Sequence, residues 1–170
     1  FGLFLNGKYT DSLYYKTGGT YSAFVYREVF ADIEHAILNG KRILFIHSDM
    51  GNGKTACINE LRYLLSKQEI HVFILTNAES TKLSEEISAI SNLSKTSKVL
   101  VIIDDYTSYI DILKKFTLFD NKQIQFVLTA RTALNYNKMP SVLSDFAVQE
   151  NDSAIFNLNR VDNTGIAHCI

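Results

Sequence analysis

Residues 48–55 read Ser-Asp-Met-Gly-Asn-Gly-Lys-Thr, residue types and a spacing suited to holding a polyphosphate. Backbone N–H groups can turn inward around an anion only if the chain passes through conformations that Gly51 and Gly53 tolerate. Lys54 is then placed to reach the outer phosphates, and the Thr55 hydroxyl to ligate Mg²⁺. A helix opening there turns the positive end of its dipole toward the anion. The strict pattern begins with Gly, whereas this chain has Ser48, another small residue. The candidate phosphate-binding set is Ser48, Asp49, Met50, Gly51, Asn52, Gly53, Lys54, Thr55 and Ala56. The competing explanation is a strand-turn-helix corner with a chance Gly-Lys-Thr, and the apolar run Ile43-Leu44-Phe45-Ile46 in front of the loop argues against it.

A second stretch with chemical content is Val99-Leu100-Val101-Ile102-Ile103-Asp104-Asp105. A buried strand that runs straight into two carboxylates delivers charge at its carboxyl edge, where ligands bind in open α/β sheets. An unpartnered buried carboxylate is costly, so such a pair calls for a cation nearby. In an outwardly polar turn the pair would be solvated punctuation. Gln125 to Thr129 forms another apolar strand, and Thr129-Ala130-Arg131-Thr132 again brings polar and cationic groups to the carboxyl edge.

The rest of the chain supplies the elements that hold these edges together. Phe24, Val25, Val29, Phe30, Ile33, Ala36 and Ile37 recur at helical spacing from Tyr21 until Asn39-Gly40 stops them. After the phosphate loop a helix carries Ala56, Ile58, Leu61, Leu64 and Leu65 and ends near Lys67. Ile70 to Thr76 is a strand whose nearly continuous apolar run predicts burial on both faces in a parallel sheet. Helices are expected through Leu83, Ile87, Ile90 and Leu93, with Ser80 or Thr81 as cap, and through Tyr109, Ile112, Leu113 and Phe116. Pro140 is expected to separate a loop from a short segment at 142–148, and Ala154 to Leu158 forms a fifth strand. Residues 1–20 read as a lead-in segment or the tail of a preceding domain. Alternating strands and helices predict a layered α/β sheet with right-handed crossovers.

Composition narrows the function classes. The chain has 170 residues, 46% of them hydrophobic, enough for one good core. Lys plus Arg number 17 against 18 for Asp plus Glu, a net charge of −1, so nucleic acid is not expected as a partner. Cys57 and Cys169 are far apart, without the CxxC spacing of a zinc ribbon or a disulfide framework. His47 reads as a packed or capping residue rather than a ligand. The apolar run Val99 to Ile103 is too short to span a bilayer and no secretory leader is recognisable, so no membrane is expected and the location reads as cytoplasmic. Phe1 in place of Met reads as an excised piece of a longer polypeptide.

The succession of Phe24-Val25-Tyr26-Arg27-Glu28, residues 48–55, Val101 to Asp105, and Phe126 to Arg131 resembles the STAND class of P-loop ATPases, which includes NACHT and NB-ARC modules. The resemblance covers residues 21–170 and implies a three-layer P-loop NTPase sandwich with a mainly parallel five-stranded sheet in the order 5-1-4-3-2. It implies ATP or ADP with Mg²⁺ as cofactors. Val25, Tyr26 and Arg27 would pack against the adenine, though Gly is common where Tyr26 stands. Asp104 would join Thr55 at Mg²⁺, Asp105 would orient or activate the attacking water, and Arg131, with Thr129 beside it, would sense the γ-phosphate. Lys54, Asp105 and Arg131 are thus the catalytic candidates. Asn157 to Val161 resembles the lead into a helical lid, and the lid and winged-helix region are not expected within the chain.

The function so implied is an ATP-binding, slowly hydrolysing nucleotide switch in a multidomain signalling or defence ATPase. Effector and sensor domains would lie in the same polypeptide, and homo-oligomerisation would depend on nucleotide. The alternatives are an AAA+ or initiator-type motor acting on DNA, and a non-hydrolysing nucleotide-binding scaffold.

Overall fold

The computed structural model describes residues 28–65, 68–75, 82–118 and 123–159, all within one unit, Glu28–Val161. The chain order is α1 (Glu28–Leu38), β1 (Ile43–Ser48), α2 (Lys54–Leu65), β2 (Ile70–Ile74), α3 (Leu83–Leu93) and β3 (Lys98–Ile103). A 3₁₀ turn (Tyr106–Ser108), α4 (Ile110–Thr117), β4 (Ile124–Arg131), α5 (Thr132–Asp145), a second 3₁₀ turn (Glu150–Asp152) and β5 (Ser153–Asn157) follow. All neighbouring strands are parallel, in the order β2-β3-β4-β1-β5, which is the expected order read from the other edge.

Period-two alternation in the strands divides the core between two faces. Ile43, Phe45, Val99, Val101, Phe126 and Leu128 point toward α3, α4 and α5. Leu44, Ile46, Leu100, Ile102 and Val127 point the other way, onto Ile33 and Ile37 of α1 and Cys57, Ile58, Leu61 and Leu65 of α2. Both faces of the central strands are therefore covered, which is why β1, β3 and β4 read as apolar runs. Phe126 anchors one layer edge-on against Phe116 and Phe146, at centroid separations of 5.3 and 5.0 Å. At the opposite edge of the sheet from the phosphate loop, the buried Gln125 amide donates to the carbonyls of Ile37 and Lys41, both at 2.9 Å, satisfying the end of α1.

Two expectations need correction. Residues 132–145 are one helix with Pro140 inside it, not a loop ended by a proline. A proline inside a helix forfeits a hydrogen bond and costs about 3 kcal/mol, but Val142 is buried and Met139 and Leu143 pack on the core, so burial of the amphipathic face outweighs that cost. The second concerns β2, which is an edge strand: His71 is exposed and its other residues are only half-buried. Its apolar run thus overstated its coverage. The Tyr21 start of α1, the Lys67 end of α2, Thr76 and the Ser80 or Thr81 cap fall outside the described residues.

Candidate functional site

The carboxyl ends of β1, β3 and β4 bring the chemically capable residues together. β1 ends at Ser48, the chain turns through residues 49–53, and α2 begins at Lys54. Gly51 and Gly53 have φ of +85° and +84°, in the left-handed region where a side chain is strained. A Cβ on Gly53 would meet Ala56 Cβ at 4.0 Å, an ordinary contact, so the need for glycine there is conformational rather than steric. The Gly53 carbonyl accepts from Cys57 N–H at 2.8 Å, closing the first turn of α2 behind the loop.

Lys54 folds its ammonium back over the loop, donating to Ser48 O at 3.1 Å, Ser48 Oγ at 3.0 Å and Asp49 O at 3.2 Å. Burial depresses its pKa; Asp104 opposes that shift, Arg131 adds to it, and Asp49 and Asp105 oppose it further. Lys54 therefore sits in the field of both strand-end carboxylates and of a second cation. Two cations that repel each other at one edge form a site in which a polyanion relieves the repulsion.

Asp104 and Asp105 follow β3 directly. The Asp104 carboxylate accepts from Thr129 Oγ1 of β4 and from Thr55 Oγ1, the latter at 3.4 Å. Thr129 is buried, and its hydroxyl also accepts from Asp105 N–H at 3.2 Å. This one side chain orients both acidic positions. Asp105 itself is left-handed, with φ 51° and ψ 53°. Its two carboxylate oxygens accept from the Thr107 and Ser108 hydroxyls, each at 2.9 Å, tying it to the side chains of the 3₁₀ turn at an exposed position. The next residue anchors that turn: Tyr106 is buried against Phe45 at 5.7 Å, and its hydroxyl donates to Asn135 Oδ1 at 3.1 Å. Burial pushes the Tyr106 phenol above its ordinary pKa, keeping it a donor.

Arg131 ends β4 in register with Ser48 and is exposed. The adjacency of β4 and β1 that a γ-phosphate sensor requires is thus present. Met50 is exposed at the tip of the loop, and Val25, Tyr26 and Arg27 lie outside the described residues. His47, buried beneath the loop, has Nδ1 3.3 Å from Thr132 Oγ1 and its ring centroid 5.3 Å from that of Tyr136. Burial lowers its pKa, with Asp49 opposing and Lys54 adding to the shift, which suits a packed neutral imidazole.

Sequence reasoning put Asn159 in the lead into a lid and not at the loop after β1. It lies two residues beyond β5, yet its Oδ1 accepts from Asp49 N–H at 2.8 Å and from Asn52 Nδ2 at 2.7 Å. The only signal in the sequence was its position at the carboxyl end of a strand. An apolar cavity of about 380 Å³ lies elsewhere, among β2, β3, α3 and α4. Its lining, including Phe73, Leu83, Ile90 and Phe116, offers a phosphate no donors, so size alone does not mark the site.

No protein-family model matches the chain, and no curated protein does. Among solved structures, C. elegans PCH-2 superimposes with a TM-score of 0.50 at 13% identity, covering 85% of this chain and 44% of that one. A DNA replication initiation factor superimposes with a TM-score of 0.51 at 15% identity, covering 82% of this chain and 46% of that one. The chain spans less than half the length of either. What it shares with them is the fold, a mainly parallel five-stranded α/β sheet flanked by helices. No helix among the described residues is long and apolar enough to cross a membrane.

Proposed function

We propose that the chain is a Mg²⁺-dependent adenine-nucleotide-binding module that hydrolyses ATP slowly and acts as a nucleotide switch in a larger signalling or defence ATPase. The observation that carries the reading is the convergence of Lys54, Thr55, Asp104 and Arg131 at one sheet edge around a loop with two left-handed glycines. The donor set suits Mg²⁺: Thr55 and Asp104 offer hard oxygens side by side, and this ion commonly takes one or two protein oxygens while phosphates and water complete its octahedron. Among the described residues no cluster of three or more His, Cys, Asp or Glu side chains forms a rival metal centre. Bound there, Mg²⁺ neutralises charge on the phosphate oxygens.

The chain's own residues would do the rest. Lys54 exchanges the carbonyls of Ser48 and Asp49 for phosphate oxygens, the loop N–H groups hold the polyphosphate, and Arg131 meets charge on the terminal phosphate. Asp105 orients the attacking water, giving up a hydroxyl partner to do so. The STAND-like switch rests on the motif succession quoted above. A second reading, an AAA+ motor acting on DNA, is supported to a similar degree by the likeness to a replication initiation factor, and it would make DNA a partner despite the net charge of −1.

Titration calorimetry with Mg²⁺-ATP and Mg²⁺-ADP tests the reading. Lys54→Ala should weaken binding about tenfold or more, on the scale of a charge-assisted hydrogen bond. Superimposable curves for the two proteins would refute nucleotide binding at this loop. Sedimentation with ATP, with and without duplex DNA, separates the rivals: nucleotide-dependent assembly alone fits the switch, and ATP-dependent DNA binding fits the motor.

A further inference from the structure

From the hydrogen bonds beneath the phosphate loop we infer that Asn159 is a positioning residue that presets the loop for polyphosphate. The inference rests on the nucleotide reading above and assigns a function within that site to a residue beyond β5. Its Oδ1 bridges Asp49 N–H and Asn52 Nδ2, the second and fifth positions of the loop, so a single oxygen ties together the two flanks of the Met50-Gly51 tip. The orientation of the amide is determined, because the Asp49 N–H can only donate and must face Oδ1. Nδ2 then points at Thr132 Oγ1, 3.4 Å away.

Asn159 is itself held. Its N–H donates to Asn157 Oδ1 at 2.9 Å, and the N–H of the buried Leu158 donates to His47 O at 2.9 Å. Thr132 opens α5 immediately after Arg131, and its hydroxyl lies between Asn159 Nδ2 and His47 Nδ1. A hydroxyl can accept from the amide while donating to the imidazole, so the end of β5, the phosphate loop and the start of α5 share one polar network. A loop with glycines at positive φ has many conformations open to it. A tie across its flanks removes some of them before the ligand arrives and lowers the ordering cost of binding.

The test uses the full chain. Asn159→Ala should speed hydrogen exchange at the Asp49 amide about tenfold, as expected for loss of one hydrogen bond, and weaken Mg²⁺-ADP by a similar factor while leaving the ligand-free melting temperature nearly unchanged. Asn159→Asp keeps an acceptor for Asp49 and should restore the slow exchange, which a merely structural defect would not allow. Unchanged Asp49 exchange in Asn159→Ala overturns the inference, as does faster exchange with unaltered ADP affinity. If the wild-type chain binds no ADP, the nucleotide reading fails, and the exchange measurement still decides whether Asn159 fixes the loop.

Discussion

Replacing Arg131 by alanine tests the step from nucleotide binding to nucleotide sensing. Arg131 is the register partner of Ser48 on the neighbouring strand, about 4.8 Å away across the sheet. Its charge reaches Lys54, whose pKa it helps to lower. If Lys54 serves both nucleotides, as proposed, the Arg131 guanidinium can distinguish them only through the terminal phosphate. A guanidinium-phosphate hydrogen bond is worth roughly 1.5–3 kcal/mol when well formed, and an exposed ion pair about 0.2–1 kcal/mol. Arg131 is exposed, so a value near 1.4 kcal/mol is reasonable, about a tenfold loss of ATP affinity. ADP lacks the phosphate in question and should lose less than about twofold. Calorimetry with a non-hydrolysable ATP analogue and with ADP, at low and moderate salt, reads the ratio directly, and the gap should narrow as salt rises. Arg131→Lys should recover only part of the discrimination, because an ammonium cannot make the planar two-pronged contact. Equal weakening of ATP and ADP would show a general electrostatic role. An unchanged ratio and unchanged affinities would remove Arg131 from the site and with it the basis for a state-sensing switch.

Other expectations follow from single features of the site. Asp105→Asn retains an acceptor for the 3₁₀ turn and tolerates the left-handed backbone, so ADP affinity should hold while ATP turnover falls about 10²-fold; parallel loss of binding would make Asp105 a metal ligand instead. Gly53→Ala should destabilise the ligand-free protein by about 1–2 kcal/mol through φ alone, since the added methyl has room, and a neutral result in urea unfolding would contradict the left-handed loop. For His47 the folded pKa is lowered, so the unfolded chain binds the extra proton first and stability falls as pH drops below the ordinary histidine value of about 6.5 toward the folded pKa. Urea midpoints at pH 7.5 and 5.5 should therefore diverge less in His47→Gln than in the wild type, and an unaltered difference would locate the pH dependence in other groups.

The phosphate loop was legible in the sequence because its requirements are local: glycine where φ turns positive, a lysine and a threonine at the next two positions, and an apolar strand in front. The carboxylates after β3 were legible for the same reason, as a strand that ends in charge. The path of the chain through Pro140 was not. Whether α5 continues past a proline depends on the core layer that Val142 and Leu143 join, to which β1, β4 and α4 also contribute. The exposure of β2 was hidden in a similar way, since an edge strand and a central strand can carry the same residues and differ only in their neighbours. Asn159 was the least legible of all: its partners, Asp49 and Asn52, are more than a hundred residues earlier and meet it only because β5 lies next to β1.

That adjacency bears on how the two functional readings relate. β1 is flanked by β4 and β5, so the phosphate loop it delivers is bounded on one side by Arg131 and on the other by Asn159. In the proposed reading the first residue would respond to the outermost phosphate, and the second would fix the shape of the loop around the inner ones. Thr132 joins them, being covalently next to Arg131 and within hydrogen-bonding distance of Asn159. The central strands between them are fully packed, so a coupling between the two ends would run through Thr132. A switch and a motor both need this property, namely that the nucleotide state alter the chain leaving β5. They differ in what that chain is attached to, and so the DNA and assembly measurements, rather than further dissection of the phosphate site, distinguish them.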